Sequence, residues 1–193
     1  MAGPEPAAVE IPDLIEPVCG WRAWYVDRPT GTYTLRSMVF DARWPVGRPL
    51  VAQCMELASG RRRGLVWRRI RHDAPHARCD CGIYGTTSLT TAKRYFDGAS
   101  YPQRWPAQLR AFGFVSLWGS VVECERGYRA SHGYPSLLYV PRVDHTDLAD
   151  EVAVDLAAYG VPVEVVDCRE EPFIVGLARS WTRLTGRDLD VAA

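Results

Sequence analysis

Two histidines and two cysteines fall within ten residues, in the stretch Arg71-His72-Asp73-Ala74-Pro75-His76-Ala77-Arg78-Cys79-Asp80-Cys81-Gly82-Ile83-Tyr84-Gly85. Thiolate sulfur and neutral imidazole nitrogen are the preferred ligands of zinc, and a closed structural site needs four of them in a tetrahedron. Cys79 and Cys81 are i and i+2, so an extended backbone points both sulfurs to one side. Gly82 can relax the chain so that both reach one ion. Pro75 bends the incoming chain and can bring His72 or His76 back toward the pair. Cys54, at the end of an expected strand, can supply the last thiolate from a neighbouring strand. The expected set is Cys54, Cys79 and Cys81 with one of the two histidines, and zinc as the cofactor. His72 is slightly favoured, because the short span from His76 to Cys79 leaves little room for a tetrahedral wrap.

The same residues admit a metal-free arrangement. Cys79, Cys81 and Ile83 share one face of a strand, and reduced cysteine packs as a small buried hydrophobe. The histidines would then be loop residues. Two of the chain's four histidines sit beside the cysteine pair, which tilts the balance toward metal. Cys19, Cys124 and Cys168 lie in or near expected strands and read as core.

Other residues could do different chemistry. Arg61, Arg62, Arg63, Arg68, Arg69 and Arg71 form a basic run with no acidic residue between Glu56 and Asp73, and Trp67 lies inside it. Such a strip can track phosphates and stack a base, or it can be a solvated hairpin. Trp21, Trp24, Trp44 and Trp118 could line a barrel mouth, or pack as core with the indole N–H bonded. Glu123, Glu125 and His132 sit on two arms of one hairpin, where a carboxylate or a Glu–His pair could serve as acid or base. A zinc with three protein ligands and an open position would pair with Glu123 as base. No serine elbow, Walker loop, dinucleotide fingerprint or HExxH is present.

The elements that must position these residues follow from the pattern. A hydrophobic share of 47% and a charged share of 24% describe a globular chain of 193 residues, long enough to bury a core. Zero formal net charge excludes a global field steering it to nucleic acid or an anionic membrane. Lys93 is the only lysine, so arginine is the default cation of this chain and its clusters carry less weight. The N-terminus has no secretory pattern and no run is long enough to span a membrane, so a cytoplasmic location with reduced cysteines is expected.

Residues 1–18, with four prolines, read as an extended arm ahead of a single domain over 19–193. Trp21 to Val26 and Thr32 to Phe40 predict an antiparallel hairpin. Leu50 to Met55 and Leu65 to Ile70 predict further strands, flanking a turn over Gly60 to Gly64. Cys81 to Thr86 should begin as a strand, and Ser88 should cap a helix through Ala92 to Phe96 that Gly98 ends. Phe112 to Cys124 alternates with both faces largely apolar, the mark of a central strand. Glu125-Arg126-Gly127 turns it into Tyr128 to Tyr134, and Pro135 should break the chain before Leu137 to Val140. Leu148, Val152, Leu156 and Tyr159 make one stripe of a helix capped by Asp144 or Thr146 and ended by Gly160. Val161 to Val166 reads as a strand and Phe173 to Leu184 as a last helix. The expectation is α+β: a mainly antiparallel sheet or small barrel with two or three packed helices.

His72-x-Ala74-Pro75, Cys79-x-Cys81-Gly82-Ile83-Tyr84, Leu117-Trp118-Gly119-x-Val121-Val122-Glu123 and Gly127-Tyr128-Arg129-Ala130 resemble a family of uncharacterised bacterial proteins common in actinobacteria. The likeness spans roughly the middle two-thirds of the chain. No activity is known for that family, so the resemblance implies none. Three function classes follow from the residues themselves. One is a zinc-stabilised, non-enzymatic binding module that contacts nucleic acid or a protein. The second is a zinc-dependent hydrolase or deaminase-like enzyme with an open metal position. The third is a metal-free interaction or scaffold domain.

Overall fold

The computed structural model describes residues 16–39, 42–59, 65–69, 72–97 and 109–189. The expected N-terminal arm falls mostly outside these. Over these residues the fold is α+β, with a mostly antiparallel seven-stranded sheet, a separate two-stranded sheet and three α-helices.

Two long strands carry the architecture: β7, over Leu109–Cys124, and β8, over Gly127–Arg142, form an antiparallel pair along nearly their full length. β1 (Val18–Asp27) runs antiparallel along the first half of β7, from Val18 opposite Leu117 to Val26 opposite Leu109. On its other side β1 pairs with β2 (Thr34–Ser37) and, through Trp21 opposite Thr86, with β6 (Ile83–Thr86). β6 in turn pairs with the start of β8, which also takes β3 (Leu50–Val51). The pairings β1–β7–β8–β6–β1 thus close a circuit, so the sheet curls on itself as a small barrel does.

Alternation along the strands sends side chains to two cores. Trp24, Val26, Leu35, Trp44, Val115, Leu117 and Leu138 pack on one face, under α2 (Leu148–Leu156). Trp21, Phe112, Tyr139, Val166 and Leu177 pack on the other, with α1 (Leu89–Phe96) and α3 (Phe173–Thr185). Ser88 caps α1 as expected, accepting the Thr91 amide at 3.2 Å.

Several boundaries differ from expectation for identifiable reasons. Pro135 does not break the chain: β8 runs through it, because the register slips between Phe114–Leu137 and Val115–Pro135 and the bulge absorbs a residue without an N–H. β7 begins at Leu109 rather than Phe112, since β1 supplies a partner for its first residues. The strand expected over Leu50 to Met55 stops at Val51, leaving 52–54 outside the ladder. Asp144 does not cap α2; its carboxylate accepts the Thr146 amide and hydroxyl in a local turn, and Asp147 takes the cap position without a side-chain bond. β9 (Val163–Asp167) pairs parallel to β8, the one parallel pairing among the described strands. The end expected for α1 at Gly98 lies outside the described residues.

Trp24 and Trp44 are 0% and 1% exposed and meet edge-to-face at 5.6 Å, so they fill the core and line no mouth. Trp21 is also buried, against Phe112, while half-buried Trp118 stacks on His132. One buried phenol pins this core to the chain around it. Tyr159 Oη accepts the Leu35 amide at 3.0 Å and donates to the Trp44 carbonyl at 2.7 Å. Tyr159→Phe strands both partners in a buried place, and each unsatisfied group costs about 1–3 kcal/mol. A loss of about 2 kcal/mol is expected, read as a lower denaturation midpoint with unchanged slope.

Candidate metal centre

The stretch between β3 and β6 builds the site. Cys54 immediately precedes β4 (Met55–Ser59), which pairs antiparallel with β5 (Leu65–Arg69), from Met55 opposite Arg69 to Ser59 opposite Leu65. The chain then passes His72, the cis Ala74–Pro75 peptide and the Cys79–Cys81 turn before entering β6. Cys54 and His72 therefore flank the base of a hairpin, and the cysteine pair faces them from the next turn. Cys54, Ala74 and Cys81 form a third small cluster, with Cys79 packed against it.

One ligand atom from each of Cys54, His72, Cys79 and Cys81 lies within 4.8 Å of the other three. Cys54 Sγ and Cys79 Sγ are 3.6 Å apart. Zinc–sulfur bonds of ~2.3 Å at tetrahedral angles put two sulfurs roughly 3.8 Å apart, so this spacing suits ligands of one ion. It is far beyond the ~2.05 Å of a disulfide, and all six cysteines are free. Cys54 and Cys81 are buried, while Cys79 and His72 are half-buried at the rim.

The electrostatics are those of thiols sharing a charge. Burial, reinforced by the neighbouring sulfurs, pushes the Cys54 thiol up to about 12. Burial likewise raises Cys81, against a hydrogen bond from the His76 backbone. Burial also opposes ionisation of Cys79, but bonds from Cys54, the Cys81 backbone and His72 bring it below the ordinary thiol value. The Asp73 carbonyl, 2.9 Å from His72 Nδ1, and the Cys79 sulfur raise His72. Three sulfurs this close cannot all ionise unless a cation joins them, and a metal bound there must displace their protons. The Nδ1 contact to a carbonyl also fixes the ring, leaving Nε2 as the ligating nitrogen.

Two glycine and arginine contacts hold the turn. Gly82 sits at φ +125°, and a Cβ there would meet the Arg129 Cβ at 3.0 Å and the Pro75 Cβ at 3.2 Å. Arg129, buried on β8, donates from Nη1 to the carbonyls of Cys79 and Cys81, the latter at 3.0 Å, and from Nε to Cys124 Sγ at 3.1 Å. Sequence reasoning missed Arg129. In the sequence it stands only as one member of Gly127-Tyr128-Arg129-Ala130, with no role attached.

His76 lies outside the four-residue group: it is exposed, its Nδ1 accepts the Arg78 amide at 3.2 Å, and its ring centre is 4.8 Å from that of His72. In the basic run, Trp67, Arg68 and Arg69 belong to β5, opposite Leu57, Glu56 and Met55. Arg61, Arg62, Arg63 and Arg71 lie outside the described residues. Glu123 and His132 are not brought together. Their ladder partners are Tyr128 and Trp118, so they stand five positions apart along β7 and four along β8. Cys19 is exposed and Cys124 half-buried, so neither is the core residue its strand setting suggested, whereas half-buried Cys168 packs against the second core. Cys19 and Cys124 sit near strand ends, where the sheet gives less cover. Among the described residues no helix is long and apolar enough to cross a membrane. No protein-family model, curated protein or solved structure matches the chain, so function rests on the chemistry of this site.

Proposed function

We propose that the chain is a zinc-stabilised, non-enzymatic binding module whose β4–β5 hairpin meets nucleic acid. The convergence of three sulfurs and one imidazole within 4.8 Å carries this reading. Such a soft donor set favours zinc over oxygen-seeking cations. Four protein donors fill a tetrahedron and leave no position for a substrate or an activated water, which argues against the hydrolase alternative. The separation of Glu123 from His132 along the ladder supports the same choice.

The hairpin supports the binding role. A two-stranded hairpin is marginal in water alone, and candidate ligands flank its base. Trp67, Arg68 and Arg69 lie on β5 of this hairpin, within the arginine-rich stretch of the sequence. A metal-clipped hairpin bearing cations and Trp67 suits a phosphate backbone better than an apolar partner.

Elemental analysis of untagged protein should give about one zinc per chain. His72→Ala, Cys54→Ala and Cys79→Ala should each lose it, whereas His76→Ala should keep it. Absence of zinc, together with a melt unmoved by chelator, would sink the metal reading and leave a metal-free interaction domain. Binding to single- and double-stranded DNA and RNA should weaken steeply with salt. If it is absent at low salt, the partner is a protein rather than nucleic acid.

A further inference from the structure

Arg129 is a buried cation, 6% exposed, on β8 between buried Gly127 and Ala130. Its donors reach the carbonyls of Cys79 and Cys81 and the sulfur of Cys124. These satisfy its hydrogen bonding, and the two carbonyls carry no formal charge. Among the described residues it has no carboxylate within ion-pair distance; the acidic partners serve other arginines and Lys93. A buried guanidinium without a counter-ion is costly, and proteins seldom retain one. Something at this place should be negative.

The neighbouring cluster provides it. Zinc with three thiolates and one neutral imidazole carries one net negative charge. We propose that Arg129 is the counter-ion and positioning residue of the metal centre, its charge balancing the zinc–thiolate group while its fork holds the two carbonyls of the Cys79–Cys81 turn. This rests on the zinc reading above and adds an outer partner to the site, seated on the backbone of two of its ligands. It also explains why the arginine donates to the backbone on both sides of Asp80. That grip fixes the separation of the two sulfurs before the metal arrives. Fixed geometry and matched charge are what outer partners of a metal site supply.

The test is competition for zinc between the protein and a chromophoric chelator, run on wild type, Arg129→Gln and Arg129→Lys. Gln keeps N–H donors without charge; Lys keeps charge without the fork. Arg129→Gln should bind zinc roughly 10- to 100-fold more weakly, the usual effect of losing an outer partner. Arg129→Lys should recover most of that loss. Cobalt substituted for zinc should show the same thiolate charge-transfer bands in all three, confirming an unchanged ligand set. Where a zinc-free variant does not fold, the zinc concentration that restores native tryptophan fluorescence replaces the competition. Arg129→Lys must still need less zinc than Arg129→Gln. Equal affinity in Gln and wild type would overturn the proposal and make a Cys124 thiolate the partner of Arg129. Equal weakening in Gln and Lys would overturn the charge role and leave only the grip on the carbonyls. A wild-type protein that takes up no zinc would instead remove the metal reading itself.

Discussion

Stripping zinc with a chelator should lower the melting temperature by about 10–20 °C. Structural zinc sites in isolated fingers contribute ~10–16 kcal/mol of apparent binding free energy, because nothing else holds those folds. Two features reduce that figure here. The two main cores lie on the large sheet and do not include the cysteine cluster, so they persist without metal. The unfolded chain also keeps its cysteines and retains some affinity for zinc, which subtracts from the stabilisation. About 5 kcal/mol remains, and at ~2–4 °C per kcal/mol for a chain of this size the stated shift follows. Calorimetry with and without chelator measures it. Cys54→Ser should reproduce the chelated melt and respond no further to chelator. A shift of the same size in Cys54→Ser on chelation would show that the metal sits elsewhere.

Trp24→Ala should cost about 3–5 kcal/mol, the range for removing a large aromatic from a closed core. Trp24 is fully buried, packs edge-to-face on Trp44, and belongs to the cluster under α2. Among the described residues its indole N–H has no hydrogen-bond partner, whereas Trp44 Nε1 donates to Ser37 Oγ at 3.0 Å. The two tryptophans should therefore answer differently to phenylalanine. Trp24→Phe discards a donor that was already unsatisfied, and costs only the lost volume, about 1–2 kcal/mol. Trp44→Phe loses a made bond as well and should cost about 1 kcal/mol more. Denaturant midpoints of the three variants decide it; an equal cost for the two Phe variants would mean that the Trp24 N–H has found a partner.

The sequence was most informative where one residue type allows few fates. Alternating apolar residues over Phe112 to Cys124 admit little but a central strand, and Leu148, Val152 and Leu156 admit little but a helix face. Cysteine and histidine within ten residues stood out for the same reason, and the structure gathers Cys54, Cys79 and Cys81 with His72, the favoured one of the two histidines. What lay hidden were relations across the chain. Pro135 reads locally as a break, and only the bulge opposite Val115 makes it harmless. Tryptophans at strand positions look alike whether they line a mouth or fill a core, since the choice depends on which strands face them. Arg129 acts on backbone carbonyls 48 and 50 residues away, and carbonyls leave no trace in residue types. The parallel β9 pairing likewise depends on where α2 delivers the chain.

Cys54 and Cys79 lie 25 residues apart in sequence, with the β4–β5 hairpin strung between them. Joined through one ion, they close a ring that the denatured chain cannot open while the metal is held. For a ring of this length the lost chain entropy corresponds to about 3.5 kcal/mol at room temperature, as for a disulfide of equal span. A disulfide is undone by reduction, whereas a metal link of this kind would withstand reductant and yield to acid, chelation or oxidation of its thiols. Protease cleavage within the ring should then leave the two halves tied together until zinc is removed.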